Sequence, residues 1–154
     1  MMEDDFDPGR ILVVEDEEPM LRTHERVLRA HGLRPVLVSD PVEAPAEVEA
    51  RLPGVVVTDL VMPGMSGLEL VTRLRTAHGR ACPPVMLVSA NVDQLSSMEQ
   101  IMFDALFPKP YSVDRFVEWV RKLARQHYER RYLASEVRLK PGVPWSRFSA
   151  DEDE

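Results

Sequence analysis

The feature that most constrains the fold is a series of short, continuously apolar runs separated by longer segments of mixed polarity. Runs rich in valine, isoleucine and leucine are typical of parallel strands that are buried on both faces of a sheet. An alternation of such strands with helices predicts an α/β fold, with right-handed crossovers and helices on both faces of the sheet. The predicted strands are Ile11–Val14, Pro35–Val38, Val55–Thr58, Val85–Val88 and Ala105–Phe107.

Three of the segments between the strands carry clear helical signals. Glu18–Ala30 has apolar residues at helical spacing and is followed by Gly32, a residue type that often ends helices. Ser66–Ala77 opens with a Ser-x-x-Glu capping box, and Ser112–His127 places its apolar residues on one stripe. We therefore expect a (βα)5 chain with a five-stranded, doubly wound parallel sheet.

The other two helices are less clearly marked. Pro41–Leu52 contains Pro45, which lacks a backbone N–H, so this helix is expected to begin near Pro45 or to be kinked there. Val92–Met102 is weakly patterned and shows no strong cap. Residues 128–154 break the rhythm, and we interpret them as an extension of the last helix followed by an irregular tail.

Composition excludes several classes of protein. No apolar run approaches the ~20 residues of a transmembrane helix, and the first ten residues are acidic where a secretory signal would be basic. Cys82 is the single cysteine, so no internal disulfide can form, and Cys/His spacing typical of a metal site is absent. We expect a cytoplasmic protein with no membrane partner.

Charge is unevenly distributed along the chain, whose net charge is −7. Residues 115–147 hold nine Lys or Arg against three Glu, whereas the last four residues are all acidic. A basic stretch can contact nucleic acid, but it is also typical of a solvated helix face. Because no nucleic-acid-binding motif accompanies it, a nucleic-acid partner is not the expectation.

Polar residues follow four of the predicted strands at their carboxyl ends, where ligands bind in open parallel sheets. Glu15 and Asp16 follow the first strand, Asp59 the third, Ser89 the fourth and Lys109 the fifth. Carboxylate oxygens are the ligands that Mg²⁺ takes. This set suits phosphoryl transfer to a carboxylate, with Asp59 as the nucleophile and with Lys109 and Ser89 contacting the phosphoryl oxygens.

The same stretches resemble a known family. The segments ILVVEDEE, VVVTDLVMPGMSGLEL, VMLVSAN and LFPKPYS, with an Asp-Leu-x-Met-Pro-x-x-x-Gly pattern from Asp59 to Gly67, are similar to the receiver domain of two-component response regulators. The resemblance covers residues 9–127 and implies a flavodoxin-like strand order of 2-1-3-4-5. Residues 128–154 would then form a helical extension and an acidic-tipped tail beyond a stand-alone receiver domain.

The resemblance implies a role for each residue of the site. Asp59 would be the phosphorylation site, and Asp16, Asp59, Glu15 and the backbone carbonyl of Val61 would hold Mg²⁺.

The phosphoryl group would be contacted by other residues of the same edge. Ser89 would supply the family's hydroxyl and Lys109 its lysine, while Ala90 would be the small residue that gives the phosphoryl group access. The bond before Pro110 would be cis. The chain departs from the family at Leu106, where an aromatic residue is usual, and in a shortened stretch before the fifth strand, which predicts a short or irregular fourth helix.

The resemblance implies a switch that assists its own phosphorylation and dephosphorylation and is not otherwise an enzyme. Its phosphoryl donor would be a histidine kinase or a histidine phosphotransfer protein, and its output would be a contact with a downstream protein. Whether the chain forms a homodimer is left open. Alternatives are a phosphotransfer intermediate, a regulator with a nucleic-acid-binding basic arm, and a phosphatase of the haloacid dehalogenase type. The last has a second Asp where this chain has Val61.

Overall fold

The computed structural model describes residues 6–134, and it describes side chains as far as residue 131. Its strands are β1 (Phe6–Val14), β2 (Arg34–Val38), β3 (Leu52–Thr58), β4 (Val85–Ser89) and β5 (Ala105–Pro108). They form one parallel sheet in the order β2-β1-β3-β4-β5. The predicted α/β class and the predicted strand order are both confirmed.

Five helices connect or follow the strands. They are α1 (Glu18–Ala30), α2 (Ala44–Ala50), α3 (Gly67–His78), α4 (Ser97–Gln100) and α5 (Val113–Ala134), with short 3-10 turns at Pro41–Glu43, Gly79–Ala81 and Val92–Gln94. The predicted tail and the acidic residues 151–154 lie outside the described residues. None of the helices within residues 6–134 has the length and apolar character needed to cross a membrane.

Local signals in the sequence explain where the long helices begin and end. After α1, Gly32 adopts a φ of 79°, which is a conformation that favours glycine, and Leu33 N donates to Leu28 O at 3.0 Å to close the helix. At the start of α3, the Ser66 hydroxyl accepts from Glu69 N at 3.1 Å and the Glu69 carboxylate accepts from Ser66 N. The predicted capping box is therefore confirmed.

The two weakly marked helices are both short. α2 begins at Ala44, next to Pro45, as expected of a helix that tolerates proline only in its first turn. α4 has four residues, which confirms the expectation of a short fourth helix. The prediction that this segment lacks a strong cap was wrong, because Ser96 and Glu99 form a complete capping box. The Ser-x-x-Glu signal was present in the sequence but lay inside a weakly apolar segment.

The sheet is buried on both faces by helices. Successive side chains of a strand point to opposite sides, so each strand contributes to both apolar clusters. In β1, Leu12 and Val14 belong to an apolar cluster that contains residues of α2 and α3. Ile11 and Val13 belong to a second cluster that contains residues of α1 and α5. All four are at most 1% exposed, so the continuous apolar run that predicted this strand follows from its two-sided burial.

Strand register brings the carboxyl ends of the central strands to one edge. Val14 of β1 is the partner of Thr58 in β3, and Ser89 of β4 is the partner of Pro108 in β5. The residues immediately after these positions leave the sheet at the same edge. The polar residues that follow the strands in sequence are therefore neighbours in space.

Candidate functional site

An ammonium group lies between two carboxylates at the carboxyl edge of the sheet. Lys109 Nζ is 3.3 Å from Asp59 Oδ2 and 3.7 Å from Glu15 Oε1. All three side chains are largely buried, with exposed fractions of 17% for Lys109, 12% for Asp59 and 2% for Glu15. The structure thus brings together three side chains that the sequence places after three different strands.

The orientation of Asp59 is set by its own backbone surroundings. Its Oδ1 accepts a hydrogen bond from Leu60 N at 2.6 Å, and its backbone N donates to Val14 O at 3.4 Å. The Thr58 hydroxyl donates to the Asp59 carbonyl oxygen at 2.8 Å. One carboxylate oxygen is therefore held by the loop, and the other faces Lys109.

Gly67 allows the loop after Asp59 to fold tightly against the start of α3. Its N–H donates to Leu60 O at 2.8 Å. A Cβ at position 67 would lie 2.2 Å from the carbonyl oxygen of Asp59, far inside contact distance. Gly67 belongs to the pattern that begins at Asp59, and its steric role is one that spacing alone did not reveal.

Glu15 is a buried carboxyl group with an altered pKa. Burial raises its pKa to about 7, and the nearby charges of Asp59 and Asp16 act in the same direction. The hydrogen bond that its Oε2 accepts from Glu17 N at 3.2 Å and the Lys109 cation both oppose this rise. The site thus concentrates negative charge that a single lysine only partly offsets.

The carboxylates of this site suit a divalent cation that takes only a few ligands from the protein. Within residues 6–131, no three His, Cys, Asp or Glu side chains are grouped closely enough to hold a metal by themselves. Mg²⁺ is usually bound through one or two carboxylates, with water and phosphate completing its shell, so Glu15 and Asp59 with the exposed Asp16 fit this ion. The assignments of Glu15, Asp16, Asp59 and the Val61 carbonyl as metal ligands all stay predictions.

Ser89 and Lys109 are joined through their backbones at the same edge. Lys109 N donates to Ser89 O at 3.0 Å. The Ser89 side chain is fully buried, and its Oγ accepts from Asn91 N at 3.0 Å, which leaves the hydroxyl proton available for another acceptor. Ala90, in contrast, is exposed. The bond before Pro110 is cis, as predicted.

The position of the usual aromatic residue is occupied by a partly buried aliphatic one. Leu106 packs against the apolar cluster on the α2–α3 face, whereas Phe107 lies in the cluster on the α1–α5 face. A different aromatic residue, Tyr111, lies two positions after Lys109, and its hydroxyl is 2.6 Å from His24 Nε2 of α1. The sequence analysis did not identify this pair.

His24 is 2% exposed, and both members of the pair have altered pKa values. Burial, followed by the Lys109 cation, lowers the pKa of His24 to about 4. Burial, followed by the Glu15 carboxylate, raises the pKa of Tyr111 to about 12. Both groups are therefore neutral near pH 7 and share a single short hydrogen bond. A histidine on the apolar stripe of α1 was the available signal, but its partner is 87 positions away.

A family model described as the response regulator receiver domain matches residues 11–121. The DNA-binding transcriptional regulator NtrC of Escherichia coli is 31% identical over 134 residues, which cover 85% of this chain and 28% of NtrC. The sensory transduction protein RegX3 of Mycolicibacterium smegmatis is 33% identical over 119 residues, which cover 75% of this chain and 50% of RegX3. The match thus spans half or less of each relative.

Solved structures show the same architecture. The response regulator protein TrrA of Thermotoga maritima, in complex with Mg²⁺-BeF, has a TM-score of 0.68 at 27% identity, covering 74% of this chain and 97% of that one. The receiver domain of a sensor histidine kinase of Pseudomonas aeruginosa, with a magnesium ion coordinated in the active site cleft, has a TM-score of 0.67 at 23% identity, covering 75% and 97%. The second likeness is one of fold alone.

Proposed function

Because this chain belongs to the family of response regulator receiver domains of two-component systems, we propose that it is a phosphorylation switch in which Asp59 accepts a phosphoryl group. The observation that carries the proposal is the position of Lys109 Nζ, 3.3 Å from Asp59 Oδ2 and 3.7 Å from Glu15 Oε1. A cation at this distance can pair with the oxygens of a phosphoryl group that arrives at Asp59.

The chemical step is an in-line displacement at phosphorus. Asp59 Oδ2 attacks the phosphorus of a phosphohistidine, an O–P bond forms, and the N–P bond breaks. The leaving imidazole nitrogen keeps the electron pair of that bond. The hydrogen bond from Leu60 N to Oδ1 keeps the carboxylate from rotating, so that Oδ2 is presented to the incoming group.

Positioning and charge neutralisation are most of what phosphoryl transfer requires from a protein. Glu15, Asp16, Asp59 and the Val61 carbonyl would hold Mg²⁺, which when bound offsets the repulsion between the Asp59 carboxylate and the phosphoryl oxygens. The Ser89 hydroxyl would donate to one of these oxygens, since its lone-pair contact to Asn91 N leaves the proton free. The exposed Ala90 would leave room for the group to enter.

We propose that the donor is a histidine kinase or a histidine phosphotransfer protein and that the output is a contact with another protein. The Thermotoga response regulator, which is 27% identical to this chain, has a crystal structure in complex with Mg²⁺-BeF, and this supports the same chemistry here. Near the short α4, Met98 is 74% exposed and Ile101 is 73% exposed. Two apolar side chains that are so exposed and only three positions apart support a protein-contact surface.

The test is phosphorylation of the full chain by a small acyl phosphate or phosphoramidate in the presence of Mg²⁺. The parent is expected to gain one phosphoryl group that hydroxylamine removes, as an acyl phosphate requires. Asp59→Asn should gain none. Asp114→Asn, which neutralises an exposed aspartate in the first turn of α5, is the matched control and should behave as the parent does.

Equal labelling of the parent and Asp59→Asn would overturn the assignment of Asp59. Labelling of the parent that does not depend on Mg²⁺ would overturn the metal part of the proposal and leave the phosphoacceptor in place. Turnover of a phosphate ester in large excess over protein would instead indicate a hydrolase.

A further inference from the structure

A groove lies between the edge strand β5 and the first half of α5. It has a volume of about 470 Å³. β5 is the last strand in the order of the sheet, so the groove follows the border of the sheet. We call it the aromatic groove, and its lining includes three aromatic residues, two prolines and one arginine, namely Phe107, Tyr111, Trp119, Pro108, Pro110 and Arg115.

The aromatic wall of this groove is held in place from inside the domain. The Tyr111 hydroxyl lies 2.6 Å from His24 Nε2, and the Tyr111 ring meets Phe107 edge to face at 6.2 Å. Phe107 meets Phe116 in the same way at 6.4 Å, and Trp119 packs against the cluster that contains both. A wall fixed by such contacts has little side-chain freedom to lose when a ligand binds.

Trp119 also offers a hydrogen-bond donor. Lys122 Nζ lies 4.4 Å from the centroid of its ring. The indole N–H has no acceptor among residues 6–131, and it is not buried. An indole N–H can only donate, so its partner must be an acceptor such as a carbonyl oxygen. A ligand that fits this groove therefore combines apolar surface with unpaired carbonyl groups.

A segment with this chemistry occurs in the same chain. Residues 141–145 read Pro-Gly-Val-Pro-Trp, which contains a Pro-x-x-Pro pattern. Each proline fixes its own φ near −65° and disfavours a helical conformation in the residue before it. Such segments favour the polyproline II conformation, in which the backbone carbonyls have no internal hydrogen bonds. Proline-rich segments of this kind dock in grooves lined by aromatic side chains.

We propose that the aromatic groove binds residues 141–145 of the same chain, as an extended segment that runs back along α5. Every Trp and Phe of residues 6–131 lies in or against an apolar cluster of the domain. The two others in the chain, Trp145 and Phe148, lie in or just after the proposed segment, where they add apolar surface to it. The proposal does not depend on phosphorylation of Asp59, so either can fail without the other.

The length of the connection fits the position of the groove. α5 ends at Ala134, so Trp119 lies about 22 Å back along the helix and Val113, at its start, about 32 Å back. At about 3.3–3.6 Å per residue, the chain can span about 23–25 Å from Ala134 to Pro141 and about 33–36 Å from Ala134 to Pro144. The two prolines can thus reach the two ends of the groove.

The short connection favours this segment over a second copy of the chain. A ligand tethered by a short linker is presented at an effective concentration in the millimolar range. A separate molecule would have to reach a similar concentration to compete. The contact is therefore expected within one molecule, at any protein concentration used in solution.

The test is paramagnetic broadening in the whole chain. A nitroxide attached to Ser149→Cys, in a Cys82→Ser background, places the label four residues after the segment. Amide signals of Leu106 and Tyr111 at the groove are expected to broaden, whereas that of Val36, in β2 at the opposite edge of the sheet, is not. Because the contact is apolar, the broadening should persist at about 1 M salt, where the Debye length is about 3 Å.

Variants of the segment and of the groove test each side of the contact. P141A/P144A removes the preference for an extended backbone and should abolish the broadening. R138A/K140A changes two side chains of the same connection outside the Pro-x-x-Pro pattern and should leave it intact. Trp119→Phe keeps an aromatic ring against the apolar cluster but removes the indole donor, so the broadening should weaken while the urea midpoint stays close to that of the parent.

Several results would overturn the proposal. One is broadening that is absent, uniform over the domain or unchanged in P141A/P144A. Another is loss of the broadening at 1 M salt or in R138A/K140A, which would show that charge attraction holds the segment. A third is equal broadening of an unlabelled chain mixed with a nitroxide-labelled one, which would show that a second copy is the source.

Discussion

His24 Nε2 and the hydroxyl of Tyr111 lie 2.6 Å apart inside an otherwise apolar cluster, which links α1 to the segment that follows Lys109. His24 also packs against Phe116 at a ring distance of 5.2 Å. The pair therefore joins two helices and the loop that carries the lysine of the site. Burying these polar groups costs folding free energy, and their mutual hydrogen bond offsets that cost.

Removing one member of the pair should lower the unfolding free energy of the domain, and removing both should lower it little further. Tyr111→Phe leaves His24 Nε2 buried without a partner, which is expected to cost about 1–3 kcal/mol of unfolding free energy. His24→Leu removes the hydrogen-bond partner of the half-buried Tyr111 hydroxyl. In urea denaturation, the double variant should resemble either single variant. Additive losses would show that the two groups do not depend on each other.

Replacing Lys109 should separate phosphorylation from metal binding. Lys109→Ala removes the cation that pairs with the phosphoryl oxygens, and loss of one such donor typically slows a reaction by about 10²-fold or more. The same change removes a competitor for the carboxylates of Glu15 and Asp59, so Mg²⁺ should bind at least as tightly as before.

The readouts for this prediction are the labelling rate with a small phosphodonor and a Mg²⁺ titration followed by fluorescence. Lys122→Ala, which removes a cation over Trp119 in α5, is the control and should leave both quantities unchanged. If Mg²⁺ affinity and labelling fall together in Lys109→Ala, the lysine supports the structure of the site and not the transfer step.

Gly67→Ala should damage the site through the backbone. The added Cβ would lie 2.2 Å from the Asp59 carbonyl oxygen, so the loop or the start of α3 must move. Overpacking of this kind typically costs about 1–3 kcal/mol, and the movement should slow labelling of Asp59 as well. Gly9→Ala is the matched control, because the three atoms nearest to its Cβ would belong to the guanidinium group of the half-exposed Arg34 side chain. Equal losses in the two variants would contradict this prediction.

His127 should make the domain less stable as the pH falls. Burial lowers its pKa from 6.5 to about 4, with Arg130 and Arg131 acting in the same direction, while the hydrogen bond to Gly54 O opposes them. Below pH 6.5 the His127 imidazole is protonated in the unfolded chain but stays neutral in the folded one, so the unfolding free energy falls progressively toward pH 4. The loss amounts to about 3 kcal/mol for a pKa lowered from 6.5 to about 4.

The measurement is the unfolding free energy from urea melts at pH values between 7.5 and 4. His127→Gln keeps a donor for Gly54 O but cannot titrate, so the difference in stability between parent and variant should shrink or reverse as the pH falls. His78→Gln, at the end of α3, controls for loss of a more exposed imidazole. A parallel pH dependence for the parent and His127→Gln would contradict the prediction.

Much of the architecture was predictable from local sequence alone. The apolar run before Asp59 predicts a strand because a strand buried on both faces favours apolar residues along its length, and β3 is buried at every position. The bounds of α1 and the capping box at Ser66 follow from signals within a few residues. Even Ser96, which was missed as a cap, had its partner Glu99 only three residues away.

The approach of Lys109 to Asp59 was also predictable, although 50 positions separate them. Parallel strands end at a common edge, so residues that directly follow such strands converge whatever the sequence between them. The order of strands and helices along the chain is therefore enough to predict that these distant residues meet at one edge of the sheet.

What only the tertiary structure decided are contacts that depend on how particular helices pack. His24 meets Tyr111, His127 meets Gly54, and Arg75 of α3 joins Arg130 of α5 at one groove because of the rotation and spacing of helices against the sheet. No local pattern encodes these pairings, since each side chain by itself is compatible with solvent or core. The sequence by itself determined the strands, the main helices and the edge at which the site lies. Packing determined which buried polar groups find partners, because those contacts depend on how each helix is rotated and spaced against the sheet.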